Sequence, residues 1–124
     1  MTAKILIIDD DDTWRGILVK VLEEAGYDVH EAENGDVGLQ ACRDQEFQLV
    51  ITDIFMPERD GLEIVRTLRT VPHRPKIIAM SGSHAGGQLD FAGVAARLGA
   101  DKALQKPFGA ETLRNVVLEL VGGG

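Results

Sequence analysis

Cysteine is almost absent from this chain. Cys42 is the only one, so no internal disulfide can form, which fits a reducing compartment and a cytoplasmic location. Positive charge is also scarce, with 13 Lys and Arg against 20 Asp and Glu and a formal net charge of -7. That balance argues against nucleic acid as a direct partner, because phosphate backbones require a basic face. His30, His73 and His84 are scattered without ligand spacing, which argues against zinc. Long apolar runs are missing too. After Lys4, only Ile5-Leu6-Ile7-Ile8 precedes four aspartates, too short for a secretory segment or a membrane span. Repeats and low-complexity stretches are lacking, and only Gly122-Gly123-Gly124 reads as a tail. Residues 1–121 are therefore expected to form one domain, long enough to bury about two thirds of its unfolded surface.

What is present is organised around Leu49-Val50-Ile51-Thr52-Asp53, followed by Ile54-Phe55-Met56-Pro57 and the turn Asp60-Gly61. A short apolar, β-branched run bounded by turn signals reads as a strand buried on both faces. Asp53 then stands at the end of that strand, where open α/β sheets place their chemistry. Alone, an aspartate there could simply cap the loop. Its meaning depends on what other strand ends bring beside it.

Ile5 to Ile8 is a second such run, ending in Asp9-Asp10-Asp11-Asp12. A helix is expected next, with Asp11 or Asp12 as its N-cap. Trp14, Ile17, Leu18, Val21, Leu22 and Ala25 recur at helical spacing as its apolar face, and Gly26 stops it. Tyr27 to Ala32 reads as a more polar edge strand. Asn34-Gly35 opens a helix to about Gln45, carrying Cys42 as a small hydrophobe without a cationic partner. After Gly61, Leu62, Val65 and Leu68 mark a third helix, and Pro72 and Pro75 end that segment. Ile77 to Met80 is another buried strand, running into Ser81-Gly82-Ser83. Phe91, Val94, Ala95 and Leu98 predict a helix stopped by Gly99, and Ala103-Leu104-Gln105 a short strand before Lys106-Pro107-Phe108. Leu113, Val116, Val117, Leu120 and Val121 give the last helix its face. Five strands alternating with five helices imply right-handed βαβ units and a parallel sheet covered on both sides.

In a parallel sheet the strand ends meet along one edge. Asp9, Asp10, Asp53, Ser81 and Lys106 therefore converge. At an effective dielectric of about 20, two carboxylates about 4 Å apart repel by roughly 4 kcal/mol. Lys106 offsets part of this, and a hard, oxygen-seeking Mg²⁺ ion would offset the rest. A metal, an ammonium and a hydroxyl suit a phosphoryl group.

The combination of Ile8-Asp9-Asp10, Asp53 with Met56-Pro57 and Asp60-Gly61, Ser81-Gly82 and Lys106-Pro107-Phe108 resembles the receiver domain of two-component response regulators. The resemblance covers essentially the whole chain. It implies a flavodoxin-like, doubly wound (βα)5 fold with strand order 2-1-3-4-5. It also implies a phosphoacceptor module of a phosphorelay, not an enzyme. Asp53 would take a phosphoryl group from a sensor histidine kinase or a histidine phosphotransferase, with Lys106 pairing with that group and Ser81 hydrogen-bonding it. Mg²⁺ would be held by Asp10, Asp53 and the backbone carbonyl of Phe55, with Asp9 acting directly or through water. The Lys106-Pro107 bond would be cis, which X-Pro bonds tolerate.

In two respects the chain departs from that family. A switch aromatic would fall at position 103, where this chain has Ala103, and the connection 83–88 is glycine-rich, as in a mobile loop. The signal is therefore expected to travel through the backbone there, to an unknown downstream protein. The expected contact surface is formed by the helix over 91–98, the strand ending at Gln105 and the last helix. Two rival readings exist. Asp9-Asp10-Asp11-Asp12-Thr13 also resembles the signature of haloacid-dehalogenase-like phosphatases, with Asp9 as nucleophile. Against it, no acidic pair follows Lys106, no residues remain for a cap domain and Asp53 would have no role. A receiver-like binding module that is never phosphorylated is the other, though no site residue is missing.

Overall fold

The computed structural model describes residues 2–54, 61–82, 93, 96, 97 and 99–122, excluding the side chains of residues 61 and 62. Five strands form one parallel sheet: β1 (Lys4–Ile8), β2 (Asp28–Ala32), β3 (Leu49–Asp53), β4 (Lys76–Ser81) and β5 (Lys102–Gln105). Their order is β2-β1-β3-β4-β5, with Ile8 beside Thr52 and Asp53 beside Met80. The fold is flavodoxin-like, as its resemblance to the receiver family implies. Four helices have full bounds: α1 (Asp12–Glu24), α2 (Gly35–Asp44), α3 (Gly61–Leu68) and α4 (Ala110–Val121). Of the helix expected over 91–98, Gly93, Ala96 and Arg97 are helical and the rest lies outside the described residues.

Alternation along the central strands divides the core in two. Ile5, Ile7, Leu49, Ile51, Ile78 and Met80 face one side, packed against Leu18 and Leu22 of α1 and Leu113 and Val117 of α4. Leu6, Ile8, Val50 and Ile77 face the other, against Leu39 of α2 and Ile64, Val65 and Leu68 of α3. Burying each of these side chains contributes roughly 1.5–3 kcal/mol, which makes the two-sided sheet the stable frame of the site. Helix ends follow local chemistry. The Asp11 carboxylate accepts from Trp14 N, the Asn34 side chain accepts from Val37 N, and Gly26 leaves α1 at φ 97°.

One residue departs from the expected packing. Ile17 is 49% exposed, not part of the apolar face of α1. It lies roughly 100° around the helix from Leu18 and about 140° from Leu22, which define the buried stripe. Cys42 is half-buried on α2, and burial pushes its thiol up to about 11, so it is no nucleophile at neutral pH.

Helix α2 comes unusually close to β1. A Cβ on Gly38 would lie 2.4 Å from Ile8 Cδ1 and 2.8 Å from Cγ1. Ile8 is fully buried and has little room to give way. Gly38→Val should therefore lower stability by about 1–3 kcal/mol through overpacking. An unchanged urea midpoint would show that the helix can lift off β1 without cost.

Candidate functional site

The carboxyl ends of β1, β3, β4 and β5 bring the expected residues to one edge. Asp9 is completely buried, Asp53 is 5% and Ser81 2% exposed, while Asp10 is exposed. Side-chain oxygens of Asp9, Asp10 and Asp53 lie within 4.8 Å of one another. Between two of them sits Lys106, whose Nζ donates to Asp9 Oδ2 at 2.6 Å and to Asp53 Oδ2 at 2.7 Å. Ordinary burial would leave two such acids uncompensated; one ammonium reaching both is what lets them stay beneath the surface.

Backbone contacts fix each participant. Asp9 N donates to Ala32 O at 3.1 Å, and Asp11 N donates to Asp9 Oδ1 at 3.0 Å. Ile54 N donates to Met80 O at 3.0 Å, just past Asp53. Lys106 N donates to Ser81 O at 2.7 Å, so the lysine and the serine share one strand register. Among the described residues, the Ser81 hydroxyl makes one long contact, to Gly82 O at 3.3 Å, and it can rotate toward a better acceptor. The Lys106-Pro107 peptide is cis.

Electrostatics follow from burial and from these pairs. Desolvation raises Asp9's pKa, a rise that the Lys106 hydrogen bond, the Asp11 N–H and the Lys106 charge oppose. Desolvation alone would lower Lys106's pKa, but hydrogen bonds and charges from Asp53 and Asp9 outweigh it, so its pKa is raised. Lys106 is thus firmly protonated at neutral pH.

Two further features escaped the reading of the sequence. The Trp14 ring lies 5.9 Å from Lys106 Nζ and meets Phe108 edge to face at 4.9 Å. Arg15, at 12% side-chain exposure, reaches the Asp9 carbonyl from α1. Sequence carried one signal for it, the Asp12–Arg15 spacing of an i,i+3 pair. Phe55, Met56, Pro57, Asp60 and the 83–88 connection lie outside the described residues. Ala103 stands beside Ala79 in register and packs against the buried pair Ile54 and Ala79.

Three oxygen donors from carboxylates, none from His or Cys, suit a hard divalent cation, and Mg²⁺ fits the donor set. Beside it stand a protonated lysine and a rotatable hydroxyl, the parts needed to hold a phosphoryl group. Among the described residues, no helix is long and apolar enough to cross a membrane.

Comparison with known proteins agrees. Residues 5–118 match the family model for the response regulator receiver domain. The response regulator receiver protein CpdR of Brucella abortus is 35% identical over 123 residues, covering 95% of this chain and 96% of that protein. The transcriptional regulatory protein SrrA of Staphylococcus aureus is 29% identical over 120 residues. Against SrrA, the chain spans 47% of the relative's length. Among solved structures, a putative response regulator from Chloroflexus aurantiacus superposes with a TM-score of 0.88 at 29% identity, covering 97% of this chain and 98% of that one. The chemotaxis protein CheY4 of Vibrio cholerae gives 0.87 at 27% identity, covering 98% and 100%.

Proposed function

Because the chain belongs to the response regulator receiver family of two-component systems, whose members are phosphoacceptor modules, we propose that Asp53 is its phosphoacceptor. The observation that carries this reading is the Lys106 ammonium shared by Asp9 and Asp53 at the end of the central strand. Asp9 is fully buried and its Oδ1 is held by Asp11 N, which fits a supporting acid better than an attacking one. That arrangement favours Asp53 over the phosphatase-like role for Asp9.

Transfer is then a simple exchange of bonds. An Asp53 carboxylate oxygen forms a bond to phosphorus as the phosphorus–nitrogen bond of a phosphohistidine donor breaks, and the imidazole leaves. Lys106 keeps its proton and moves its hydrogen bond from the carboxylate to a phosphoryl oxygen. Ser81 turns its hydroxyl from Gly82 O to donate to another. Asp9, Asp10 and Asp53 would hold Mg²⁺, with the Phe55 carbonyl as a further ligand. When bound, the ion supplies positive charge that offsets the acids and the incoming phosphoryl oxygens.

Receiver domains of response regulators work with sensor kinases. For this chain we infer a histidine kinase or histidine phosphotransferase as donor in the cytoplasm, and a downstream protein reached by surface contact. In this reading the chain signals and does not turn over substrates. Residues 1–121 form the receiver domain and residues 122–124 a glycine tail, anchored at its first residue by Tyr27, whose hydroxyl donates to Gly122 O at 2.8 Å. The test is incubation with acetyl phosphate. A single adduct of about 80 Da should form with Mg²⁺ and not with EDTA, and hydroxylamine should map it to Asp53. An adduct mapped to Asp9 would overturn the assignment.

A further inference from the structure

We propose that Arg15 is the positioning residue for the metal-binding acids, clamping the Asp9 carbonyl and thereby setting where Asp10 stands. This inference rests on the reading of Asp9, Asp10 and Asp53 as the Mg²⁺ ligands.

Arg15 lies in the first turn of α1 and spends its guanidinium in three directions. Nη1 donates to the Asp9 carbonyl at 2.6 Å, Nε to Glu31 Oε1 at 2.8 Å and Nη2 to Asp12 Oδ1 at 2.7 Å. Its charge is met by Glu31 and Asp12, neither of which belongs to the acidic cluster. What it offers the site is therefore direction more than charge.

The contact to Asp9 closes a ring. Asp9 N donates to Ala32 O, Ala32 follows Glu31 on β2, Glu31 holds Arg15, and Arg15 holds Asp9 O. Both polar groups of the Asp9 backbone are thus tied to the edge strand, one directly and one through the guanidinium. Peptide groups are planar, so fixing the Asp9 carbonyl fixes the plane that leads to Asp10. Asp10 is exposed, and among the described residues no hydrogen bond to its side chain accounts for its placing; the plane behind it does. Three arms at fixed angles need a planar fork, which lysine lacks.

The test is calorimetric titration of the metal-free, unphosphorylated protein with MgCl₂, for wild type, Arg15→Met, Arg15→Lys and Asp10→Asn. Each variant is first checked for native circular dichroism at the titration temperature. Losing the support behind a metal ligand costs about tenfold or more in affinity, so both arginine variants should weaken Mg²⁺ binding by at least that factor. Arg15→Lys keeps the charge and should fail like Arg15→Met. A residue that only stabilised the fold would lower the melting temperature and leave the affinity of the folded protein unchanged. Folded arginine variants binding Mg²⁺ within about twofold of wild type would overturn the proposal. Should Arg15→Met not fold, Arg15→Lys decides alone. Asp10→Asn separates the two layers of the argument. If it binds Mg²⁺ like wild type, the ligand reading fails and this inference with it. If it loses binding while the arginine variants keep it, only the role of Arg15 fails.

Discussion

Asp53→Asn should take up no phosphate from acetyl phosphate and Mg²⁺ under conditions that label the wild type completely. The substitution is nearly isosteric and keeps an oxygen for Lys106, so folding should survive. It removes the anionic oxygen that attacks phosphorus, and an amide is no substitute as a nucleophile. Asp9→Asn should behave differently. Asp9 is fully buried behind Lys106, so its amide variant should label slowly, not fail altogether. Intact mass spectrometry reads both. Labelling that persists in Asp53→Asn and vanishes in Asp9→Asn would return the chemistry to strand β1.

The second large effect concerns Lys106. Removing one partner of a buried ion pair costs about 3–5 kcal/mol, and Lys106 serves two acids at once. Lys106 remains 14% exposed, so Lys106→Met should lose about 3 kcal/mol at pH 7, the lower end of that range. The sign with pH is fixed by the groups left behind. Without the ammonium, among the described residues the Asp11 N–H alone opposes the burial and the Asp10 charge that raise Asp9 above 3.8. The folded variant then binds a proton more readily than the unfolded chain. Its stability should therefore rise as pH falls through the raised pKa, and the gap to wild type should narrow. In the wild type, the raised Lys106 pKa contributes stability that is present below 10.5 and lost as pH rises through the folded value. The variant lacks that alkaline loss. Urea unfolding from pH 4 to pH 11 checks both limbs. A gap that stays constant between pH 7 and pH 4 would mean that the two acids are not the lysine's partners in solution.

These effects were foreseeable from the sequence to different degrees. Ile5–Ile8 and Leu49–Ile51 are continuous apolar runs because both sheet faces are covered, so Asp9 and Asp53 could be placed at strand ends directly. Lys106 followed from the same logic on a shorter strand, helped by Pro107. Strand order was not contained in the periodicity and came from the family resemblance. Side-chain partners were harder still. Arg15 reaches Asp9 across the mouth of the β1–α1 turn and Glu31 on β2, a contact that depends on how Ile7 pairs with Glu31. No local pattern encodes that register. Ile17 was misassigned for a related reason: apolar spacing defines a broad stripe, and only packing against Ile5 and Ile7 decides which edge of it is covered. Ile64 is fully buried on α3, although it stands only one position before Val65; about 100° separates neighbours on a helix, so adjacent residues can both lie on a broad buried face.

The contact between Trp14 and Lys106 gives the protein an optical channel of its own. Trp14 is the only indole in the chain, held 5.9 Å from the ammonium that must leave Asp53 when a phosphoryl group arrives. Indole emission is sensitive to a charge moving over its ring, an electrostatic coupling of the kind that draws cations to aromatic faces. Excitation at the tryptophan band should report arrival at Asp53 in real time, with no label added. Lys106→Met should silence that change while leaving the emission itself, and a trace that is flat in the wild type would mean that the ammonium stays where it is.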